Sequence, residues 1–177
     1  VFTNIWKVIL YILPTNFAQG IVIIGAVLFS PLVLAFSERL PIEPVQILWV
    51  NLIIAIGCSI PLIWEVKEKG ILDRPPRDPN EKLFNPLFIR KVVLVSVVSI
   101  AAVYGLYLSY VNAMGHSAQA LTEAQTLAFT TLIMVQVFYL FTARSITDSA
   151  FTFSPFSNRY VIIGAGATLI LQLLIVY

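Results

Sequence analysis

The amino-acid sequence predicts an all-α fold, a polytopic transmembrane helix bundle with five spanning helices. Two observations predict this fold. Of the 177 residues, 59% are hydrophobic and only 11% are charged, whereas about a quarter of the residues of an ordinary soluble domain are charged. The apolar residues are also grouped into runs of about 20, which is the length that a helix needs to cross the hydrocarbon core of a bilayer. A lipid bilayer is therefore the expected surrounding of most of the chain.

Five segments have the required length and form one membrane domain over residues 1–177. They are predicted at about residues 6–36, 45–64, 87–111, 121–142 and 160–177. The first is long enough to extend beyond the bilayer or to bend at Pro14 and Pro31. Because the sequence opens inside an apolar run and without a methionine, it is interpreted as part of a longer protein.

The basic residues predict how the spans are oriented. Arg39 falls on one side of the predicted spans, and all the other lysines and arginines fall on the opposite side. These others are Lys7, Lys67, Lys69, Arg74, Arg77, Lys82, Arg90, Lys91, Arg144 and Arg159. Cytoplasmic loops carry the excess of basic residues. The N-terminus and the loops at 65–86 and 143–159 are therefore predicted to be cytoplasmic.

Polar residues at membrane depth mark the candidate functional site. In the first segment, Thr15 lies four residues and Asn16 three residues before Gln19, so that they share one helix face with it. Pro14 removes a backbone donor and clashes with the carbonyl of Leu10. This predicts a helix break and a carbonyl that is free to bind another group, such as an ion. Isolated polar groups are costly in hydrocarbon and often mark a pathway.

Two other segments add polar groups. In the second, Asn51, Ala55 and Ser59 recur every four residues and form a small, polar stripe. The fourth segment supplies Thr130, Thr131 and Gln136. Two interpretations remain open: the amides join helices by hydrogen bonds, or they line a path across the membrane. The coincidence of a proline with amides favours the second.

The same segments carry no Asp or Glu at membrane depth. A divalent cation prefers several oxygen ligands with carboxylates among them, and these helices supply only neutral oxygens. The identity of any bound metal is therefore not predicted.

Motifs for nucleotide binding, metal binding and nucleophilic catalysis are missing from the sequence. It has no Walker-type phosphate loop, no GxGxxG, no His/Cys cluster with metal-ligand spacing and no evident nucleophile–base pair. The chain is not expected to hydrolyse a nucleotide or to need a cofactor by itself. Its basic loop has mixed charges and many prolines, which does not indicate nucleic-acid binding.

Several stretches resemble the P-type cation-transporting ATPases, with the calcium pump and its bacterial relatives as the closest group. "PIEPVQILWVNLI" followed by "GILDRPPRDPNEKLF" resembles the sixth transmembrane helix and the adjoining cytoplasmic loop. "VFTNIWKVILYILPTN" resembles the fifth helix, and "AQTLAFTTLIMVQVFYLFTARS" resembles the eighth. The final segment matches the ninth in position. The resemblance therefore implies helices five to nine of a ten-helix pump.

The resemblance implies a part in ATP-driven cation transport. In that family the cytoplasmic domains bind ATP and form an aspartyl phosphate, while the membrane helices bind the ion and switch its access. It implies Mg-ATP for the full-length pump, the pump's other domains and a cation as partners, and a bacterial or archaeal plasma membrane as location. Asp73, Arg74 and Arg77 would couple the loop at 65–86 to the phosphorylation domain. A stiff, solvated loop is an equally weighted alternative.

The match to the calcium pump's ion ligands is partial. The family's ligand positions correspond to Asn16, Gln19, Asn51, Ile54, Ala55 and Gln136. The two asparagines keep the family's residue, but the acidic positions are neutral, because glutamine replaces two glutamates and Ala55 replaces an aspartate. A single ion, a monovalent ion or a substrate held by amides and carbonyls fits this pattern better than two calcium ions. A carboxylate from a preceding helix is left open.

Two other functions remain open. A catalytically silent bundle, acting as a structural or binding subunit, is favoured by the missing carboxylates and opposed by the retained "DRPPR" loop. A small stand-alone carrier or channel is opposed by the five helices, the start inside a helix and the absence of a charged relay.

Overall fold

The computed structural model describes residues 2–65, 86–144 and 157–176, and this part of the chain contains helices and turns but no strand. The helices are α1 (Phe2–Phe29), α2 (Leu34–Glu38), α3 (Pro44–Ile54), α4 (Pro86–Met114), α5 (Ala118–Ala143) and α6 (Arg159–Val176). A π turn (Ala55–Ser59) and a 3₁₀ turn (Ile60–Trp64) continue α3. Five of these segments are long and apolar enough to span a membrane. The predicted all-α bundle is confirmed.

The first span is shorter than the predicted 6–36. α1 ends at Phe29, two residues before Pro31. A proline disfavours the helical conformation of the residue before it and cannot donate a backbone hydrogen bond. The chain turns there and continues as the short helix α2.

The predicted helix break at Pro14 is wrong, because α1 is helical throughout and holds Pro14 inside it. The reason lies on α5. The Tyr139 hydroxyl donates a hydrogen bond of 2.7 Å to the carbonyl oxygen of Leu10, the acceptor that Pro14 leaves without a backbone donor. The carbonyl is thus occupied by a buried side chain, and the helix continues.

The interruption lies instead in the second span, where Pro61 follows the π turn. A proline clashes with the carbonyl four residues earlier, here that of Gly57. The backbone widens so that the N–H of Ile60 bonds to the carbonyl of Ala55, five residues back. The tighter 3₁₀ turn then completes the span. Such π turns occur often at functional sites.

Local signals explain the other helix ends. Glu43 caps α3 in a reciprocal capping box with Gln46, and Pro44 occupies the first helical position. Gly115 follows α4 with a positive φ of 85°, a conformation that glycine adopts without strain. The Ser117 hydroxyl accepts a hydrogen bond from the Ala120 N–H and caps α5.

The bundle buries polar groups and exposes large apolar ones, as a protein in lipid does. Leu28, Leu48 and Leu174 are about 70% exposed (68%, 70% and 72%), and we interpret this surface as lipid-facing. Tyr11 and Gln136 are completely buried. The packing therefore agrees with the membrane setting predicted from composition.

The two ends of the bundle carry the charged contacts. At one end, Asn4 and Arg144 both bond to Glu65. At the other, Arg39 bonds to Gln125. The start of the first span and the ends of the second and fourth spans therefore lie together, as they must if successive spans cross the membrane in opposite directions. The predicted coupling residues Asp73, Arg74 and Arg77 lie outside the described residues.

Candidate functional site

Two of the predicted site residues meet inside the bundle. The side-chain amide of Gln19 on α1 donates from Nε2 to Oε1 of Gln136 on α5, at 3.3 Å. Both are buried, with Gln19 3% exposed and Gln136 fully covered. They are 117 positions apart in the chain, so folding alone brings this amide pair together.

The amide pair is incompletely satisfied. Nε2 of Gln136 is buried and has no hydrogen-bond partner among the described residues. Burying an amide without a partner costs free energy, and each such group in a folded protein calls for an explanation. An unpaired amide facing another amide is able to reorient and present its oxygen to a cation.

Two tyrosines hold the backbone around the pair. The Tyr11 hydroxyl donates to the carbonyl oxygen of Gln136 at 3.2 Å. Its ring stacks on that of Tyr139, with centroids 5.8 Å apart and planes 15° apart. Tyr139 in turn bonds to the Leu10 carbonyl. Each helix therefore donates a tyrosine hydroxyl to the backbone of the other, which fixes their relative position beside the amides.

Thr15 and Ser59 are buried but satisfied by their own helices. The Thr15 hydroxyl lies 2.9 Å from the carbonyl oxygens of both Tyr11 and Ile12. Ser59 donates to the Ile54 carbonyl at 3.3 Å, inside the π turn. Neither bonds to the amide pair: Thr15 shares α1 with Gln19, and Ser59 lies on the second span, outside the hydrogen-bond network of the pair.

The two asparagines lie elsewhere. Asn16 and Asn51 are exposed on the surface of the described bundle. The structure does not bring them into contact with Gln19 or Gln136. The predicted set therefore divides into a buried pair and two surface amides.

A second buried polar cluster was missed by sequence reasoning. Gln172 on α6 is 2% exposed, donates to the Thr130 hydroxyl at 3.0 Å and accepts from Trp49 Nε1 at 3.3 Å. It joins the second, fourth and fifth spans. The available signal was an amide in an otherwise apolar segment, the same signal that identified Gln136.

A close helix contact lies beside the π turn. A β-carbon on Gly164 would overlap the carbonyl oxygen of Gly57, and one on Gly57 would overlap the hydroxyl of Thr168. These backbones approach as closely as glycine permits. The carbonyl that Pro61 leaves without a backbone donor faces α6 at this contact.

The chemistry available at the site is that of neutral oxygens. Among the described residues, no group of three or more His, Cys, Asp or Glu side chains is placed to hold a metal ion. Within the part of the chain that the structure describes, no carboxylate bonds to either glutamine of the amide pair. Amide and carbonyl oxygens are able to coordinate a cation, but they do not compensate a double charge as carboxylates do.

Comparison with known proteins places the chain in a family. The sequence profile described as "Cation transporting ATPase, C-terminus" matches residues 39–177. The chain is 39% identical over its full length to the probable cation-transporting ATPase F of Mycobacterium bovis, of which it covers 18%. It is 33% identical over its full length to a calcium-transporting ATPase of Bacillus subtilis, of which it covers 19%.

A calcium-transporting ATPase of Listeria monocytogenes is 36% identical over 96% of the chain, which covers 18% of that protein. The chain thus spans less than a fifth of the length of these relatives. The profile match covers most of the chain, and the five apolar spans agree with it. The chain belongs to the family of cation-transporting ATPase C-terminal domains.

Proposed function

We propose that this chain is the membrane transport domain of an ATP-driven P-type cation pump, and that the buried amide pair Gln19–Gln136 forms part of the ion route. The observation that carries the site is the unpartnered Nε2 of Gln136 next to the Gln19 amide at membrane depth. A pair that served only to join helices would be expected to satisfy its buried donors. Thr15 and Ser59 belong to the same proposed route, where their hydroxyls bond to backbone carbonyls of their own spans.

Asn16 and Asn51 complete the proposed route from exposed faces of the first and second spans. The resemblance to helices five to nine implies that other helices of the pump cover these faces. In the full-length pump the remaining domains would supply aspartyl phosphorylation and the Mg-ATP site. Asp73, Arg74 and Arg77 would couple those domains to the spans. The N-terminus of this chain would lie on the cytoplasmic side of a bacterial or archaeal plasma membrane.

The cation best suited to the amide pair carries a single charge. Neutral amides leave a divalent ion's charge uncompensated in a low-dielectric setting. The names of the Bacillus and Listeria relatives favour calcium as the second candidate. Calcium transport would require carboxylates from other helices of the pump.

The test uses the full-length protein in proteoliposomes, with ATPase activity measured in Na⁺, K⁺ or Ca²⁺ alone. One cation is expected to stimulate hydrolysis. The double variant Gln19→Leu/Gln136→Leu is expected to raise the half-saturating concentration of that cation at least about tenfold, the effect of losing roughly 1.4 kcal/mol of binding. Asn16→Ala and Asn51→Ala are each expected to lower the stimulation.

Thermal stability separates an ion route from helix joining. Replacing both partners of a buried hydrogen bond by apolar groups of similar shape is nearly neutral or stabilising, so the double leucine variant should unfold at or above the wild-type midpoint. Gln119→Ala, an amide at the exposed start of α5, is the control and should change neither readout. A destabilised double variant with normal cation dependence would show that the amides only join helices. Absence of ATP hydrolysis by the full-length protein in all three cations would favour the catalytically silent bundle.

A further inference from the structure

A buried ionic cluster joins the segment ends at the predicted cytoplasmic face. Glu65, directly after the 3₁₀ turn, accepts two hydrogen bonds from Arg144 at the end of α5, Nε to Oε2 at 3.1 Å and Nη2 to Oε1 at 2.8 Å. Both side chains are 4% exposed. This parallel pairing is the strongest and most directional form of the arginine–carboxylate contact.

Asn158 extends the cluster to α6. Its Nδ2 donates to Glu65 Oε2 at 2.9 Å and lies 3.3 Å from the carbonyl oxygen of Pro61. Its Oδ1 accepts from the backbone N–H groups of Tyr160 and Val161, at 3.0 and 3.4 Å. One asparagine therefore caps the start of α6 and holds the Glu65 carboxylate.

Asn4 extends the cluster to the start of α1. Its Nδ2 donates to the carbonyl oxygens of Ile63 and Glu65, at 2.8 and 2.9 Å. The end of the second span is thus bound to the first span through its backbone and to α5 and α6 through its side chain. A displacement of Glu65 therefore shifts the contacts of three other spans.

The position of the cluster suggests more than an anchor. Glu65 is the first residue of the predicted coupling loop, 65–86, and it directly follows the ten residues 55–64, which are not α-helical. A buried ion pair adds little net stability compared with apolar packing, but it specifies one arrangement of the elements it joins. The backbone next to it is of the kind that marks a functional hinge.

We propose that Glu65 is a positioning residue that, through Arg144 and Asn158, makes the end of the second span move together with α5 and α6 when the phosphorylation domain of the pump changes state. The proposal rests on the proposed function as a pump. The fixed pair makes the end of the second span move as one body with α5 and α6. The π turn between Glu65 and Asn51 then takes up the change in backbone geometry.

The test measures the phosphoenzyme of the full-length protein in proteoliposomes, formed from labelled ATP in Na⁺, K⁺ or Ca²⁺ alone. Glu65→Gln keeps the shape of the side chain and removes its charge. It is expected to form the wild-type amount of cation-dependent phosphoenzyme at the wild-type half-saturating concentration, and to slow phosphoenzyme decay roughly tenfold, because decay requires the movement to reach the membrane helices. Glu38→Gln is the control, since Glu38 pairs with His116 at the opposite end of the bundle.

A second variant covers the case in which loss of the carboxylate partner of Arg144 prevents folding. Glu65→Gln/Arg144→Gln leaves no uncompensated charge and is expected to show the same slow decay. Wild-type decay in both variants would overturn the proposal. Phosphoenzyme that falls in step with the folded fraction, and decays normally, would overturn it too by making the cluster a structural anchor only. A wild-type phosphoenzyme that responds to no cation would instead refute the proposed function.

Discussion

The hydroxyl of Tyr139 donates the hydrogen bond that Pro14 removes from α1. Pro14 has no N–H, and the Leu10 carbonyl would be left bare in the bundle interior without the 2.7 Å bond from α5. Nothing in the local pattern around Pro14 indicates this donor, because it belongs to a residue 129 positions after Leu10. From the sequence, Pro14 predicts a break in the helix, whereas in the structure it is part of a continuous helix.

Tyr139→Phe is expected to destabilise the protein by about 1–2 kcal/mol, because it leaves the buried Leu10 carbonyl without a partner. The measurement is the unfolding midpoint in detergent. Tyr110→Phe is the matched control, since the Tyr110 hydroxyl bonds to Glu123 at an exposed position and its loss should change the midpoint little. Equal midpoints for Tyr139→Phe and the wild type would show that the carbonyl finds another donor.

The candidate site shows which residues sequence reasoning can find. Gln19 and Gln136 were identified because amides are conspicuous in apolar segments and match ligand positions of a known family. Their contact depends on the rotation of α1 against α5, which no local pattern records. Gln172 has the same local signal but no matching ligand position, and so it was missed until Thr130 and Trp49 were found bonded to it.

Among the helices, the second span departs furthest from regular geometry. Its existence was predicted by length and hydropathy, but its change from α to π to 3₁₀ was not. Pro61 lies near the end of the span, where a proline is easily interpreted as a sign that the helix ends. Pro61 changes the backbone of the residues that precede it. The carbonyl of Gly57, four residues earlier, loses its backbone donor and packs against α6.

Gly164→Ala should separate the second span from α6, because the added β-carbon would overlap the backbone carbonyl of Gly57. Overpacking of this kind typically costs about 1–3 kcal/mol, and a backbone atom has less freedom to move than a side chain. The matched control is Gly166→Ala, two residues along the same helix, where the new β-carbon meets nothing within 4 Å. That variant should be neutral or gain up to about 1 kcal/mol from helix propensity. Unfolding midpoints for the pair test the contact, and equal midpoints would contradict it.

For the molecule as a whole, the bundle was predictable and its interior was not. Mean hydropathy and span length depend on composition along the chain, so the five spans could be predicted, although the first ends at Phe29 and not near residue 36. The interior depends on contacts between distant residues. Glu65 and Arg144 show the difference: one was counted as the start of a loop and the other as a positive charge, yet they form an ion pair in which both side chains are buried.

The sidedness of the bundle is the remaining whole-molecule prediction. The structure places Glu38 and His116 at one end and Asn158 and Arg159 at the other, next to Glu65. Ten basic residues at the second end predict that it is cytoplasmic. The only cysteine of the chain, Cys58, is fully buried and should not react.

Cysteines introduced as His116→Cys and Arg159→Cys, both at exposed positions, allow a direct test in intact cells with a membrane-impermeant maleimide. We expect His116→Cys to be labelled in intact cells and Arg159→Cys to be labelled only after permeabilisation, because basic flanks are retained on the cytoplasmic side. The unmodified chain is the control for reaction at Cys58. Labelling of Arg159→Cys in intact cells would reverse the orientation, and it would place the Glu65 cluster on the side opposite to any ATP-binding domain.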